Sequence, residues 1–179
     1  MTYGMRRGES ILITAQEGVG KTELMHALEY QLLKETQDNV GAIFLEEPRR
    51  DHLRTLASIH LGKPCFVPEH GVSDNTVAQA IQDICGMDDR LYLYSHFGSD
   101  DPDILLDTIR FMVTACNVHW VLLDHVTMVV SGIHGEKDER RALDYISSRL
   151  EMMVKELNFG LIFVSHVNDL GETRGSRMI

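Results

Sequence analysis

The feature that most constrains this chain is a glycine-containing loop between a strand-like apolar run and a helical pattern. The apolar run covers residues 10–14, and the helical pattern covers about residues 21–34. Gly18 and Gly20 permit positive φ angles and a close approach of the backbone to a ligand. The backbone N–H groups of such a loop, together with the N-terminus of the following helix, form a binding site for phosphate.

In loops of this pattern the lysine reaches the β- and γ-phosphates of a nucleotide, and the hydroxyl of the next residue ligates Mg²⁺. Lys21 and Thr22 hold these positions, while Ala15 replaces the first glycine of the pattern G-x-x-x-x-G-K-[ST]. A chance glycine-rich turn between a strand and a helix is the alternative interpretation. Eight residues are predicted to bind the nucleotide: Ala15, Gln16, Glu17, Gly18, Val19, Gly20, Lys21 and Thr22.

Length and composition favour one globular domain. The chain has 179 residues, of which 44% are hydrophobic and 25% are charged, which suffices for one substantial core. No apolar run reaches the roughly 20 residues that a membrane-spanning helix needs. The three cysteines match neither a zinc pattern nor a disulfide framework, so we expect reduced cysteines in a cytosolic protein.

The net charge of −10 bears on possible partners. A domain that binds nucleic acid through its phosphates usually presents a basic face. Contact with nucleic acid would therefore have to come from a local patch, from other subunits or from sequence outside this chain.

Strand-like runs alternate with longer helical patterns along the chain. This alternation predicts an α/β fold with a mostly parallel sheet and helices on both of its faces. The runs at 120–123 and 161–164 are continuously apolar, as in central strands that are covered on both faces. The other predicted strands cover 10–14, 40–45 and 91–94, and the predicted helices cover about 21–34, 49–61, 73–84, 103–116 and 138–157.

Three further strand ends carry candidate functional residues. Asp124 follows the apolar run 121–123 and is a candidate magnesium ligand, although an aspartate in this position could also cap the next element. Glu46 and Glu47 follow the second strand; one could act on the attacking water, or both could simply begin the next helix. Ser165-His166 ends the last strand, where His166 could sense the γ-phosphate or be an ordinary loop histidine.

Together these four segments resemble the RecA-like ATPase core of DnaB-type hexameric replicative helicases, most of all the helicase half of phage primase-helicases. The matching segments are AQEGVGKT at 15–22, FLEE at 44–47, VLLDHVTMVVS at 121–131 and FVSH at 163–166. The resemblance spans nearly the whole chain and implies a RecA-like P-loop NTPase fold.

The resemblance also implies roles for individual residues. Lys21 and Thr22 would bind phosphate and Mg²⁺, and Asp124 would hold the metal directly or through water. Glu46 would be the catalytic base that activates water, and His166 would couple the state of the γ-phosphate to the DNA-binding loops. The site would lie between subunits and receive an arginine from a neighbouring subunit, for which this sequence offers no match.

The function implied is that of an ATP-dependent replicative DNA helicase domain, which couples NTP hydrolysis to translocation on single-stranded DNA and to duplex unwinding. The cofactors would be ATP, or another NTP or dNTP, and Mg²⁺. The partners would be single-stranded DNA, five further copies in a homo-hexamer, and a primase domain or partner in the full-length protein. The location would be the cytoplasm of a bacterium or a phage-infected host cell, with no membrane contact.

Two features depart from the family pattern. The loop after His166 is short and acidic, which leaves Arg174 and Arg177 as the expected DNA contacts. Residues 173–179 read as the lead-in to another element, so we expect the last strands of the domain to be missing. The alternatives are a RecA-type or repair ATPase that does not unwind DNA, a regulatory module that binds nucleotide without turnover, and a small-molecule kinase.

Overall fold

Five parallel strands form one sheet in the order β1-β5-β4-β2-β3. The computed structural model describes residues 4–16, 18–67, 71–86, 89–94, 101–130 and 136–166; of residues 130, 136–139 and 166 it describes the backbone alone. The strands are β1 Ser10–Ala15, β2 Asn39–Phe44, β3 Leu91–Tyr94, β4 Val118–Asp124 and β5 Gly160–His166. The helices are α1 Lys21–Glu35, α2 Arg49–Leu61, α3 Asp74–Cys85, α4 Pro102–Ala115 and α5 Glu136–Leu157, and a 3₁₀ helix covers Val126–Val130.

The predicted alternation of strands and helices is confirmed, with differences at several boundaries. Strand β5 extends to His166, so this residue belongs to the strand and not to the loop after it. Helix α5 begins at Glu136, inside the charged segment that precedes its apolar face. The 3₁₀ helix after β4 was not predicted. No helix in the described ranges is long and apolar enough to cross a bilayer.

The central strands are buried on both faces, as their continuous apolar sequences predicted. Along β4, Val121 and Leu123 pack on one side of the sheet with α4, α5 and the 3₁₀ helix. Trp120 and Leu122 point to the other side and pack with α1 and α3. This alternation follows from the pleat of a β-strand, in which successive side chains leave opposite faces.

Gly160 gives Trp120 the space that its indole ring needs. The two residues are register partners on β5 and β4. A Cβ atom at position 160 would lie 2.2 Å from carbons of the Trp120 ring. The indole nitrogen donates a hydrogen bond of 2.8 Å to Asp38, which fixes the position of the ring. A side chain at position 160 would therefore clash with the ring.

Arg90 joins the carboxyl-terminal ends of two helices that cover the same face of the sheet. Its side chain is buried, at 8% exposure. At the end of α1 the guanidinium group donates to the carbonyl oxygens of Leu33, at 2.7 Å, and Thr36, at 2.8 Å. At the end of α3 it donates to the carbonyl oxygens of Cys85, at 2.9 Å, and Ile84, at 3.2 Å. The last carbonyl groups of a helix have no partner within the helix, and a cation there also opposes the negative end of the helix dipole.

We expect Arg90→Lys to lower the free energy of unfolding by about 2 to 4 kcal/mol, since an ammonium group cannot reproduce a planar fork of donors and leaves buried carbonyl groups unpaired. Urea denaturation measures this loss. Arg50→Lys is the matched control, because the Arg50 side chain is 70% exposed and should change stability by less than about 0.5 kcal/mol. Equal effects of the two variants would contradict the role given to Arg90.

Candidate nucleotide site

The four candidate segments lie on four neighbouring strands. Each contains the carboxyl end of one strand, namely β1, β2, β4 or β5, and the sheet order places these strands side by side as β1-β5-β4-β2. All of these strands are parallel, so their carboxyl ends meet at one edge of the sheet. In open parallel sheets this edge is where ligands bind.

Thr22 and Asp124 contact each other directly across this edge. The Thr22 hydroxyl, in the first turn of α1, donates a hydrogen bond of 2.6 Å to the Oδ2 atom of Asp124 at the end of β4. Asp124 is buried, at 7% exposure. A hydroxyl and a carboxylate are the hard oxygen donors that Mg²⁺ prefers, so this pair fits the magnesium ion that the sequence predicted.

Lys21 turns back onto the loop that precedes its helix. Its ammonium group donates to the carbonyl oxygens of Ala15, at 3.0 Å, and Gln16, at 2.6 Å. The side chain is 8% exposed. The buried ammonium group is therefore paired with two backbone carbonyl groups of the loop. A phosphate anion could take the place of these carbonyl groups as its partner.

The two glycines of the loop have positive φ angles, which their sequence positions predicted to be permitted. Gly18 has φ +76° and Gly20 has φ +88°, and both values lie in the left-handed region that disfavours side chains. Gly20 immediately precedes α1, so the N-terminus of that helix faces the loop. Of the other predicted loop residues, Ala15 ends β1, Gln16 and Val19 lie in the loop, and Glu17 lies outside the described residues.

Glu46 faces the same cavity as the Thr22–Asp124 pair. The cavity has a volume of about 400 Å³ and is lined by Thr22, Phe44, Glu46, Glu47, Pro48, Asp51, Phe66 and Asp124. The side chain of Glu46 is 62% exposed, and its Oε2 atom lies 3.6 Å from Nε2 of His125. A carboxylate that opens into the cavity is accessible to a water molecule there.

His166 lies at the end of β5 as the register partner of Ala15, which places its backbone beside the start of the loop at residues 15–22. Its side chain lies outside what the structure describes, and so do the predicted DNA contacts Arg174 and Arg177. These three predictions stay predictions.

Glu47, the second glutamate after β2, belongs to a different environment from Glu46. It contacts two histidines: its Oε2 atom is 2.9 Å from Nε2 of His26 and 3.1 Å from Nδ1 of His52. A second carboxylate, that of Glu29, lies 2.9 Å from Nε2 of His52 and 3.7 Å from Nδ1 of His26. We call these four residues, His26, Glu29, Glu47 and His52, the His–Glu cluster.

The cluster is buried, which sets its electrostatics. His26 and His52 are each 2% exposed, and Glu29 is fully buried. Burial alone would lower the pKa of His52, but the Glu29 and Glu47 carboxylates outweigh it and raise that pKa to about 9. Burial alone would raise the pKa of Glu47, but the two histidines lower it to about 2. The pKa of His26 is raised, against the effect of burial, by the same two carboxylates.

Sequence reasoning missed the His–Glu cluster and His125 as members of this region. A signal for the cluster was present, because His26 and Glu29 lie one helical turn apart on the face of α1 that also buries Met25 and Leu33. Two ionisable residues among core positions of an amphipathic helix need partners. The missing partner, His52, lies on α2, and only the tertiary structure brings it there.

Comparison with known proteins decides the family. The family model described as the DnaB-like helicase C terminal domain matches residues 1–178. The chain belongs to this family of helicase domains. The sequence-based recognition of a DnaB-type core is thereby confirmed.

Two individual similarities accompany the family match. The DNA helicase/primase of Enterobacteria phage T3 is 26% identical over 172 residues, which are 94% of this chain and 30% of the phage protein. This DnaB-like domain therefore spans less than a third of that relative's length. A KaiC-like protein from the archaeon Pyrococcus horikoshii OT3 superposes with a TM-score of 0.66 at 20% identity, covering 96% of this chain and 67% of that one. This likeness confirms the predicted α/β RecA-like fold.

The His–Glu cluster makes a prediction about pH. Because the pKa of His52 is raised from 6.5 to about 9, its contribution to stability is full below pH 6.5 and is lost as the pH rises through 9. We expect the difference in unfolding free energy between wild type and His52→Gln to shrink by about 2 to 3 kcal/mol over this pH range. Urea denaturation with EDTA present measures this difference at each pH.

The control for this measurement is His60→Gln, on the same helix. His60 contacts the Tyr30 hydroxyl at 3.3 Å and has no contact with the carboxylates of the cluster among the described residues. Its difference from wild type should stay constant between pH 6.5 and 9. A constant difference for His52→Gln as well would contradict the charged pairing of His52.

Proposed function

We propose that this DnaB-like domain is the NTP-hydrolysing motor of a replicative DNA helicase. The observation that carries the proposal is the juxtaposition of the Thr22–Asp124 hydrogen bond with the carboxylate of Glu46 in one cavity at the edge of the sheet. The substrate would be ATP or another NTP or dNTP, with Mg²⁺ as cofactor. The energy of hydrolysis would drive translocation on single-stranded DNA and duplex unwinding.

The phosphate end of the nucleotide would be bound by the loop 15–22. Lys21 would exchange its two carbonyl acceptors for oxygens of the β- and γ-phosphates, a change that keeps its charge paired throughout. The positive end of the α1 dipole and the loop N–H groups add to the attraction for the anion. Thr22 and Asp124 would hold Mg²⁺, which would neutralise the charge that develops on the phosphate oxygens.

Glu46 is the residue we assign as general base. It would accept a proton from the water that attacks the γ-phosphate, because its carboxylate opens into the cavity that Thr22 and Asp124 line. Glu47 is unsuited to this task, since two histidines contact its Oε2 atom. His125 lies 3.6 Å from Glu46 and is placed to restrict the orientation of the base.

The remaining parts of the proposal come from the family and from the phage relative. We propose a homo-hexamer in which a neighbouring subunit contributes an arginine to the site, with a primase domain elsewhere in the full-length protein. His166 would report the state of the γ-phosphate to the DNA-binding loops, and Arg174 and Arg177 would contact DNA. The protein would act in the cytoplasm of a bacterium or an infected host cell.

The assignment of Lys21 and Glu46 is tested by DNA-stimulated NTP hydrolysis of the full-length protein. We expect Lys21→Ala and Glu46→Gln each to lower kcat by at least about 100-fold, the scale on which positioned charges and general bases act. Lys155→Ala and Glu35→Gln are the matched controls, because both side chains are exposed on helices away from the loop. Near-normal hydrolysis by either site variant would overturn the mechanism.

A strand-displacement assay on the same wild-type protein separates the helicase from the other RecA-like ATPases. A helicase displaces a labelled strand when NTP is hydrolysed. A protein that hydrolyses NTP in response to DNA without displacing the strand would belong to the recombinase or repair type instead.

A further inference from the structure

The His–Glu cluster has the donor atoms of a metal site. One nitrogen from each of His26 and His52 and one carboxylate oxygen from Glu47 all lie within 4.8 Å of one another. Ligand atoms at 2.0 to 2.2 Å from a tetrahedral ion lie roughly 3.3 to 3.6 Å apart. The separations of 2.9 Å and 3.1 Å from Glu47 to the two histidines are a few tenths of an ångström shorter, so small movements of these side chains would admit an ion.

His26 is buried and has no hydrogen-bond partner among the residues that the structure describes. Neither of its ring nitrogens makes a hydrogen bond of normal geometry with a described residue, and its exposure is 2%. The 2.9 Å between Nε2 and Glu47 is short enough for a hydrogen bond, but the direction of the ring nitrogen misses the oxygen. Buried polar groups are normally paired, so the two ring nitrogens of His26 are available to a ligand. His52 differs, because its Nδ1 atom shares a hydrogen bond of 3.1 Å with Glu47, which an ion bound between them would replace.

Glu29 stands behind both histidines, on the side away from Glu47. It lies 2.9 Å from Nε2 of His52 and 3.7 Å from Nδ1 of His26. Histidines that bind a metal usually donate their other ring N–H to a carboxylate or carbonyl, which fixes the tautomer and the ring orientation. Glu29, which is fully buried, makes such a hydrogen bond with His52. Its other oxygen lies beside Nδ1 of His26 at 3.7 Å, beyond hydrogen-bond distance.

The charge of the cluster also suits a divalent ion. Metal ions bind imidazole in its neutral form, so binding would release the protons that the histidines carry in the ion-free cluster. The two carboxylates and two neutral imidazoles would then carry a charge of −2, and uncompensated buried charge is expensive. A single divalent cation would neutralise the cluster, whereas a monovalent cation would not. Imidazole and carboxylate donors together suit Zn²⁺, Co²⁺ and related ions, while Mg²⁺ favours oxygen donors alone.

We propose that the His–Glu cluster binds one divalent transition-metal ion of the Zn²⁺ type, with His26 Nε2, His52 Nδ1 and Glu47 Oε2 as ligands and Glu29 as the acceptor behind the histidines. The site is separate from the Thr22–Asp124 pair. It joins α1, α2 and the segment after β2, so the ion stabilises the fold and fixes Glu47 next to Glu46 without contacting the nucleotide.

The experiment is a titration of the tag-free, full-length protein with Co²⁺ after treatment with EDTA, in buffer that contains excess Mg²⁺. We expect a visible absorption band that saturates at one equivalent per chain and a rise in the thermal midpoint. His52→Gln and His26→Gln should abolish both signals. Glu29→Gln should weaken Co²⁺ binding by about 10- to 100-fold, the usual effect of losing the partner of a metal-bound histidine.

Two control variants separate this site from other possible sites. His60→Gln removes a histidine of the same helix, and Asp124→Asn removes the carboxylate of the nucleotide site; both should keep the full Co²⁺ spectrum. Loss of the spectrum in Asp124→Asn, with retention in His52→Gln, would assign the ion to the nucleotide site and overturn the proposal. Folding of each variant is checked by circular dichroism.

A measurement on the wild type keeps the test decisive if the histidine variants fail to fold. In ¹⁵N NMR spectra of the imidazole groups, one equivalent of Zn²⁺ should shift Nε2 of His26 and Nδ1 of His52 while leaving His60 unchanged. Unchanged resonances of His26 and His52 would overturn the proposal, and the cluster would then be a closed ring of ion pairs between two glutamates and two protonated histidines.

Discussion

A hydrogen bond from the Thr22 hydroxyl to the Asp124 carboxylate connects two segments that are 102 positions apart in the chain. Its geometry depends on the order of the strands. Strand β5 lies between β1 and β4, so the loop after β1 and the end of β4 face each other across one strand. Hydrophobic packing on both faces of the sheet holds these strands in place, and this rigid support is what a site for phosphate and metal needs.

The two glutamates that follow β2 have different surroundings. Glu46 opens into the cavity beside Asp124, while the side chain of Glu47 is mostly buried against two histidines. Both residues lie in the bend between β2 and α2, and the Glu46 side chain is 62% exposed whereas that of Glu47 is 20% exposed. The more exposed carboxylate is the one accessible to water in the cavity.

Much of the fold was predictable because its signals are local. The continuous apolar runs at β4 and β5 predicted central strands, and the proline after Asp101 marked the start of α4. Gly18 and Gly20 permitted the positive φ angles that they adopt. The contacts between segments were less accessible. Neither the bonds from Arg90 to two helix ends nor the approach of His52 to Glu29 follows from a local pattern.

The candidate site was predicted in parts, for a related reason. Lys21, Thr22, Glu46 and Asp124 were found because each ends a strand or follows one, and parallel strands bring such positions together. Sequence alone could not distinguish Glu46 from Glu47 without the family resemblance, because the distinction lies in what each side chain contacts. It also could not show His125 beside Glu46, since only the turn after β4 places it there.

We propose that the four strand ends form one nucleotide site, and a crystal structure of the protein with Mg²⁺ and a non-hydrolysable ATP analogue would test this directly. In that complex we expect Lys21 to leave the carbonyl oxygens of Ala15 and Gln16 for the β- and γ-phosphates. We also expect Mg²⁺ at the Thr22–Asp124 pair, with Glu46 facing the γ-phosphate. Phosphates bound elsewhere, with Lys21 still on its carbonyl groups and the Thr22–Asp124 hydrogen bond intact, would contradict the proposal.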